Sequence, residues 1–276
     1  MKKVKLHEVV KAVEEIAPLR LQEDWDSSGL TIAFGEKEIG RILTCLEINE
    51  EVMEECLQTE SDMIVTHHPF IFTGLKAVDS ETPEGRMVIE AVKNEICVYS
   101  CHTPFDKVPG GNNDSAAGRL GLTSVKNLRG EPLKGLSAME ERRDPADIGR
   151  TGRFREPVTF REAIERVLEA FEISLRQIRA TGCLDKKVTR VGICTGAGAE
   201  LITMAAEAGC ELFITGDVKY HQARMAEDMG MCLIDAGHYG TEKFFGEDMR
   251  GLLDEKFGGV IQVAASKVSL DPFMAL

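Results

Sequence analysis

Arg41-Ile-Leu-Thr-Cys45 opens a stretch that continues through Val52, Met53 and Cys56 and closes on Asp62-Met-Ile-Val-Thr66-His-His-Pro69. Two short runs rich in β-branched and apolar residues flank a segment with helical spacing, so the stretch reads as strand, helix, strand. Arg190-Val-Gly-Ile-Cys194, Leu201 to Ala208 and Glu211-Leu-Phe-Ile-Thr215 read the same way. The offset is constant at 149 residues, from Arg41 to Arg190, Cys45 to Cys194 and Thr66 to Thr215. A repeat of this kind comes before any single motif.

Each copy is preceded by an amphipathic helix, with Leu6, Val9, Val10, Val13 and Ile16 on one apolar face and Phe160, Ala163, Ile164, Val167, Leu168 and Phe171 on the other. Each is followed by a further strand, Ile96-Cys-Val-Tyr99 leading to His102 and Met231-Cys-Leu-Ile234 leading to His238. Both halves are therefore expected to be βαβαβ units, and the fold class is α/β with two similar domains related by internal duplication. Residues 1–126 with 236–276 make the expected first domain and 158–235 the second. The intervening 127–157, with Gly130, Pro132, Gly135, Pro145, Gly149 and Gly152, reads as a linker.

The composition narrows the function. With 33 basic and 46 acidic residues, the net charge of −13 argues against a protein that wraps nucleic acid or anionic lipid with its whole surface. The longest run without Asp, Glu, Lys or Arg, Met63 to Leu75, is too short to span a membrane, and the charged N-terminus lacks a signal-peptide core. A cytoplasmic location is expected. The eight cysteines form no CxxC pair and several sit in apolar runs, so they read as reduced, buried thiols.

The chemistry gathers just beyond the strand ends, where open α/β sheets form ligand sites. His67 and His68 follow Thr66, and adjacent side chains on a strand diverge, so the pair suits two ions better than one. His102 with Asp106, and His238 with Glu242, are each four residues apart, one helical turn, although Pro104 interrupts the first pair. Two imidazoles on one strand end, an Asp on another and a His/Glu pair on a third make a set of five ligands, His67, His68, Asp106, His238 and Glu242, suited to a dinuclear centre with open positions for water. Asp217, in Thr215-Gly-Asp217, and His221 are candidates for orienting a ligand or moving protons, with helix capping by Asp217 an equal reading. Pro109-Gly-Gly-Asn-Asn-Asp114 reads as a turn into a helix capped near Asn113 or Asp114. Arg142, Arg143, Arg150, Arg153 and Arg155 form a basic island, read as a solvated linker paired with Glu140, Glu141, Asp144 and Glu156 ahead of a phosphate contact. Trp25, in Trp25-Asp-Ser-Ser-Gly-Leu30, reads as the anchor of a turn.

These motifs, in this order, resemble the NIF-three-like dinuclear-metal family, also called GTP cyclohydrolase I type 2 homologues. The resemblance rests on Trp25 to Leu30, Thr66 to Pro69, His102 to Asp106 with Pro109 to Asn112, Thr215 to His221 and Gly237 to Glu242, and it spans nearly the whole chain. It implies a metal site at the interface of the two domains and two divalent metal ions per chain; imidazole and carboxylate donors without cysteine suit zinc, iron, manganese or nickel. It also implies a homohexamer of the form without a large insertion between the halves. The implied activity is hydrolytic ring opening of GTP with loss of formate, in which His102, Asp217 or His221 moves protons. A two-metal phosphoesterase and a non-catalytic metal-binding hexameric scaffold are the competing readings.

Overall fold

The computed structural model describes residues 2–133, 135 and 147–275. They fall into two compact units, residues 1–105 with 244–270 and residues 106–243 with 271–276. The units change over between Phe105 and Asp106, within the short helix after His102, and between Lys243 and Phe244, beyond the helix that starts at His238.

The first unit begins with β1 (Val4–Lys5) and α1 (Leu6–Ile16), whose buried face is Leu6, Val9, Ala12 and Val13. β2 (Gly29–Ile32) and β3 (Glu38–Ile39) lead into the segment that specifies the unit: β4 (Arg41–Cys45), α2 (Glu50–Gln58), β5 (Met63–Thr66), α3 (Pro83–Lys93) and β6 (Cys97–Ser100). The helices start where the sequence supplies caps. Asn49 accepts from Val52 N, and Thr82, followed by Pro83, accepts from Gly85 N. β4, β5 and β6 pair in parallel, with β2 antiparallel at the β6 edge. Every residue of β5 and β6 is buried, as parallel strands covered on both faces require. The short α4 (Thr103–Lys107) follows, with Pro104 in its first turn, where a missing N–H does no harm.

The second unit contains α5 (Asn112–Arg119), β7 (Thr123–Asn127), β8 (Arg150–Thr159) and α6 (Phe160–Ala170). β9 (Arg179–Thr181), β10 (Lys187–Ile193), α7 (Ile202–Glu207), β11 (Leu212–Thr215), α8 (Tyr220–Asp228), β12 (Cys232–Asp235) and α9 (His238–Glu242) complete it. Its sheet runs β7-β8-β10-β11-β12-β9, with β10, β11 and β12 parallel. The chain then returns to the first unit through α10 (Phe245–Phe257) and β13 (Gln262–Ala265), which pairs in parallel with β4.

The register repeats with the sequence. Ile42 lies opposite Met63, and Val191 opposite Leu212. Asp62 Oδ2 accepts from Gly40 N at 2.7 Å and Arg41 N at 3.0 Å; Glu211 Oε2 accepts from Thr189 N at 2.6 Å and Arg190 N at 3.0 Å. All these positions match at the offset of 149 residues.

Part of the expected linker is a strand. β8 pairs antiparallel with both β7 and β10; Arg150, Thr151, Gly152, Phe154 and Val158 are buried while Arg153 and Arg155 are exposed. An arginine at a buried position hid the strand. Arg142 and Arg143 lie outside the described residues. The cap of α5 is Gly111, two to three residues earlier than expected, which leaves Asp114 inside the first turn.

Candidate metal centre

In the first unit, strand ends set the donors. The β4–β5 ladder continues past Thr66, with His67 N donating to Cys45 O at 3.1 Å and His68 N to Leu46 O at 2.8 Å, so the backbone of both histidines is fixed. His67 is fully buried and its Nδ1 is 2.9 Å from Cys101 O. His68 Nδ1 is 3.2 Å from Glu47 Oε2, and His102 Nδ1 is 2.9 Å from Asp26 Oδ1. A ring nitrogen facing an oxygen acceptor carries the proton. In each of these rings Nδ1 is therefore the N–H, and Nε2 is the nitrogen with ligand character. His67 has a ring nitrogen within 4.8 Å of one on His68 and of one on His102.

Asp26 is the hub of this arrangement. Its carboxylate accepts from Ser28 Oγ at 2.7 Å, Thr103 Oγ1 at 2.6 Å, Thr103 N at 3.2 Å and Ser27 N at 2.6 Å as well as from His102. Burial favours its neutral form, but hydrogen bonding and charge from His102, with the hydroxyls of Thr103 and Ser28, outweigh it and hold the carboxyl down to about 2. The loop is thus anchored by Asp26 and not by Trp25, which is exposed.

In the second unit, α9 puts His238 and Glu242 on one helical face. His238 Nδ1 is 2.8 Å from Asp217 Oδ2 and its Nε2 is 3.0 Å from Glu242 Oε2. Burial disfavours the imidazolium, yet Glu242 and then Asp217 raise His238 to about 10. Asp217 does not cap a helix: the residue preceding α8 is Lys219, and the Asp217 carboxylate is aimed at His238 from a left-handed backbone, φ 55°. His221 is exposed on α8, and no described hydrogen bond joins it to His238, Asp217 or Glu242.

Asp106 is buried and its Oδ1 accepts from Asn112 Nδ2 at 3.0 Å. Glu242 is also buried, against Gly196, where an added Cβ would come within 2.2 Å of Glu242 Oε1. The Thr195-Gly-Ala-Gly198 loop was not singled out in the sequence, although the offset of 149 places Thr195 opposite Leu46 and Gly196 opposite Glu47. The two carboxylates leave an electrostatic mark on Cys194, whose thiol is pushed well up by burial first and by Asp106 and Glu242 next. A buried negative field of this kind suits a cation.

Arg150 is fully buried and belongs to this scaffold rather than to a phosphate site. It donates through Nε to Asp114, through Nη1 to Asp147 O and Gly149 O at 2.6 and 3.1 Å, and through Nη2 to Lys107 O and Val108 O at 2.8 and 3.1 Å. All five N–H groups are used.

The candidate metal-binding groups among the described residues are made of imidazoles and carboxylates alone, drawn from His67, His68, His102, Asp106 and Glu242; His238 is in none of them. The seven buried cysteines do not belong to those groups, and burial pushes Cys45, Cys56 and Cys210 up to about 12. Nitrogen and oxygen donors with Nδ1 tied to an acceptor fit a divalent transition metal.

Residues 4–272 match the Duf34/NIF3 (NGG1p interacting factor 3) family. The chain is 31% identical over 274 residues to a GTP cyclohydrolase 1 type 2 homolog of Clostridium acetobutylicum, covering 98% of both chains. It is 31% identical over 240 residues to the GTP cyclohydrolase 1 type 2 of Helicobacter pylori, covering 86% of this chain and 87% of that one. The crystal structure of a Bacillus cereus protein related to NIF3 has the same fold, with a TM-score of 0.90, 23% identity and full coverage of both chains. No described helix is long and apolar enough to cross a membrane.

Proposed function

The chain belongs to the Duf34/NIF3 family, and we propose that it is a metal-dependent hydrolase that opens the imidazole ring of GTP and releases formate. In this reading His67, His68, Asp106, His238 and Glu242 together hold two divalent ions. The observation that carries it is the common anchoring of four imidazoles. His67, His68, His102 and His238 each turn Nδ1 to an oxygen, three of them to a carboxylate. Such partners fix the tautomer and raise the basicity of the other nitrogen. Bound divalent ions supply Lewis acidity and lower the pKa of water toward neutrality.

The remaining roles fall to the chain itself. Asp26 holds His102 in one tautomer with Nδ1–H inward, so His102 Nε2 is the atom that takes up or delivers a proton at the reacting centre. Asp217 orients His238, and Asn112 fixes the carboxylate of Asp106. His221, exposed on α8, has no part in this reading. A cytoplasmic homohexamer, carried over from the family resemblance, completes it.

The test is elemental analysis of protein purified from its native host, followed by formate and phosphate assays on the same sample. Two divalent ions per chain and formate release from GTP are expected, with release about 100-fold lower or more in His68→Ala. Absence of formate release from metal-loaded protein, with His68→Ala indistinguishable from wild type, overturns the assignment. Alcohol release from phosphodiesters, or phosphate release from nucleotides, without formate selects the phosphoesterase.

A further inference from the structure

The chain has one tryptophan, and it is not in the core. Trp25 is 55% exposed and Phe72 49% exposed, and their rings face each other with centroids 6.4 Å apart at 44°. The exposure of Phe72 is not a lack of core to join. Its neighbours Phe70 and Ile71, and Leu75 beyond, pack against the cluster formed by Leu43, Ile64 and Val98. Phe72 alone of the Phe-Ile-Phe run turns outward. Both aromatics are held in place there: Ser27 Oγ donates to Phe72 O at 2.8 Å, and Gln22 Nε2 donates to Asp26 O at 3.0 Å, tying the loop on either side of Trp25. Two large apolar rings left half exposed forgo burial energy on folding unless something else covers them.

The location says what that is. Trp25 meets His102 edge to face, centroids 5.7 Å apart at 77°, and His102 in turn lies 5.1 Å from His67 and 5.9 Å from His68. The aromatic pair is thus continuous with the histidine cluster. A tilted pair with open faces is suited to stacking a third flat ring, because every heteroaromatic ring offers a π face whatever its substituents.

We propose that Trp25 and Phe72 form a platform that stacks the planar heteroaromatic ring of a small-molecule substrate and presents it to the histidine cluster. The ring belongs to a free nucleobase-like compound rather than to a polynucleotide, since the surplus of 46 acidic over 33 basic residues opposes a polyanionic strand. The inference deepens the proposed function by assigning the substrate's ring to named side chains, and it rests on that reading for the neighbourhood of the reacting centre.

The single tryptophan makes the experiment direct. Full-length protein is titrated with guanosine monophosphate, with ribose 5-phosphate and with a short single-stranded oligonucleotide while Trp25 fluorescence is recorded. Saturable quenching by guanosine monophosphate and none by ribose 5-phosphate is expected. In calorimetry, Trp25→Leu is expected to weaken guanosine monophosphate binding about 10- to 100-fold, Phe72→Leu less, with the melting temperatures of both within a few degrees of wild type. Equal quenching by ribose 5-phosphate, tighter binding of the oligonucleotide, or an unchanged Kd in Trp25→Leu overturns the platform. Binding without turnover in metal-loaded protein refutes the hydrolase and leaves the platform standing; turnover with unchanged Kd and KM in Trp25→Leu does the reverse.

Discussion

The two halves of the chain use one frame and fill it differently. Where β5 ends in His67 and His68, β11 ends in Gly216 and Asp217, at the same offset of 149 residues. In the second half, a side chain at Gly216 has nowhere to go: a Cβ would sit 2.6 Å from His238 N, 2.7 Å from Gly237 C and 2.9 Å from Gly196 O, all backbone. In the first half the corresponding residue is a buried imidazole. The third strand end is alike in both, with His102 and His238 each held at Nδ1 by an aspartate, at 2.9 and 2.8 Å. The aspartates come from different places. Asp217 takes the seat that His68 occupies in the first half, so there the carboxylate is supplied by Asp26 from the loop after α1. One half is specialised toward imidazole donors and the other toward carboxylates, while the means of orienting a histidine is kept.

The largest way to test that comparison is at Asp26, whose side chain is fully buried. Asp26→Ala leaves His102, Ser28 and Thr103 without their acceptor and is expected to cost about 3–5 kcal/mol in urea unfolding. The loss depends on pH. Because the carboxyl is held down to about 2 in the fold against an ordinary value near 4, its contribution is complete above about pH 4 and disappears as pH falls through about 2. The difference between wild type and Asp26→Ala should therefore narrow across that window; a constant difference would show that packing, and not the charged hydrogen bonds, is at stake.

Gly216→Ala comes next. Rigid backbone on three sides predicts an overpacking penalty of about 1–3 kcal/mol together with weaker metal retention by dialysis. An unchanged melting temperature would mean that the two strand ends are more alike than their spacing suggests.

The thiols sharpen the comparison between the halves. Cys45 and Cys56 in the first and Cys210 in the second are pushed up to about 12 by burial, whereas Cys183 is exposed. Alkylation of native protein should label Cys183 rapidly and the rest only through opening, so that the order of labelling reports which half opens first. Above pH 9 the unfolded chain ionises thiols that the fold keeps protonated, and stability should fall by about 1.4 kcal/mol per pH unit for each. Uniform labelling of all eight would contradict the burial.

The smallest effect is expected at Asp217, which is exposed. Asp217→Asn should change stability by no more than about 0.5 kcal/mol and lower metal affinity toward the 10-fold end of the range for an orienting partner of a ligand, while Asp26→Asn, behind the proton-moving His102, should lower turnover more than metal affinity. Equal effects in a metal-competition titration would remove the distinction.

How far the residues announced this arrangement differs by region. The strand, helix, strand units were legible because fully buried parallel strands read as continuous apolar runs, and their repetition at a fixed offset gave an internal check. His238 and Glu242 were legible as one turn of helix. Asp26 and Glu47 were not seen as the partners of His102 and His68, because a carboxylate that acts through tertiary contact, 76 and 21 residues away, leaves no local pattern. Residues 150–157 passed for a linker because glycine, proline and arginine are poor strand markers, and the burial of Arg150 through tertiary hydrogen bonds leaves no local pattern. Trp25 was misread as an anchor by its size, when the anchoring falls to the aspartate beside it.

Arg150 has a consequence of its own. α4 carries Asp106 on only five residues, a length at which a helix does not persist unaided. The carbonyls of Lys107 and Val108 at its C-terminal end, where the helix dipole is negative, receive both Nη2 hydrogens of Arg150, so an interior guanidinium does the work of a C-cap. The carboxylate of Asp106 is accordingly carried on a helix whose end is held by a side chain 43 residues away, so its position depends on β8 as much as on α4.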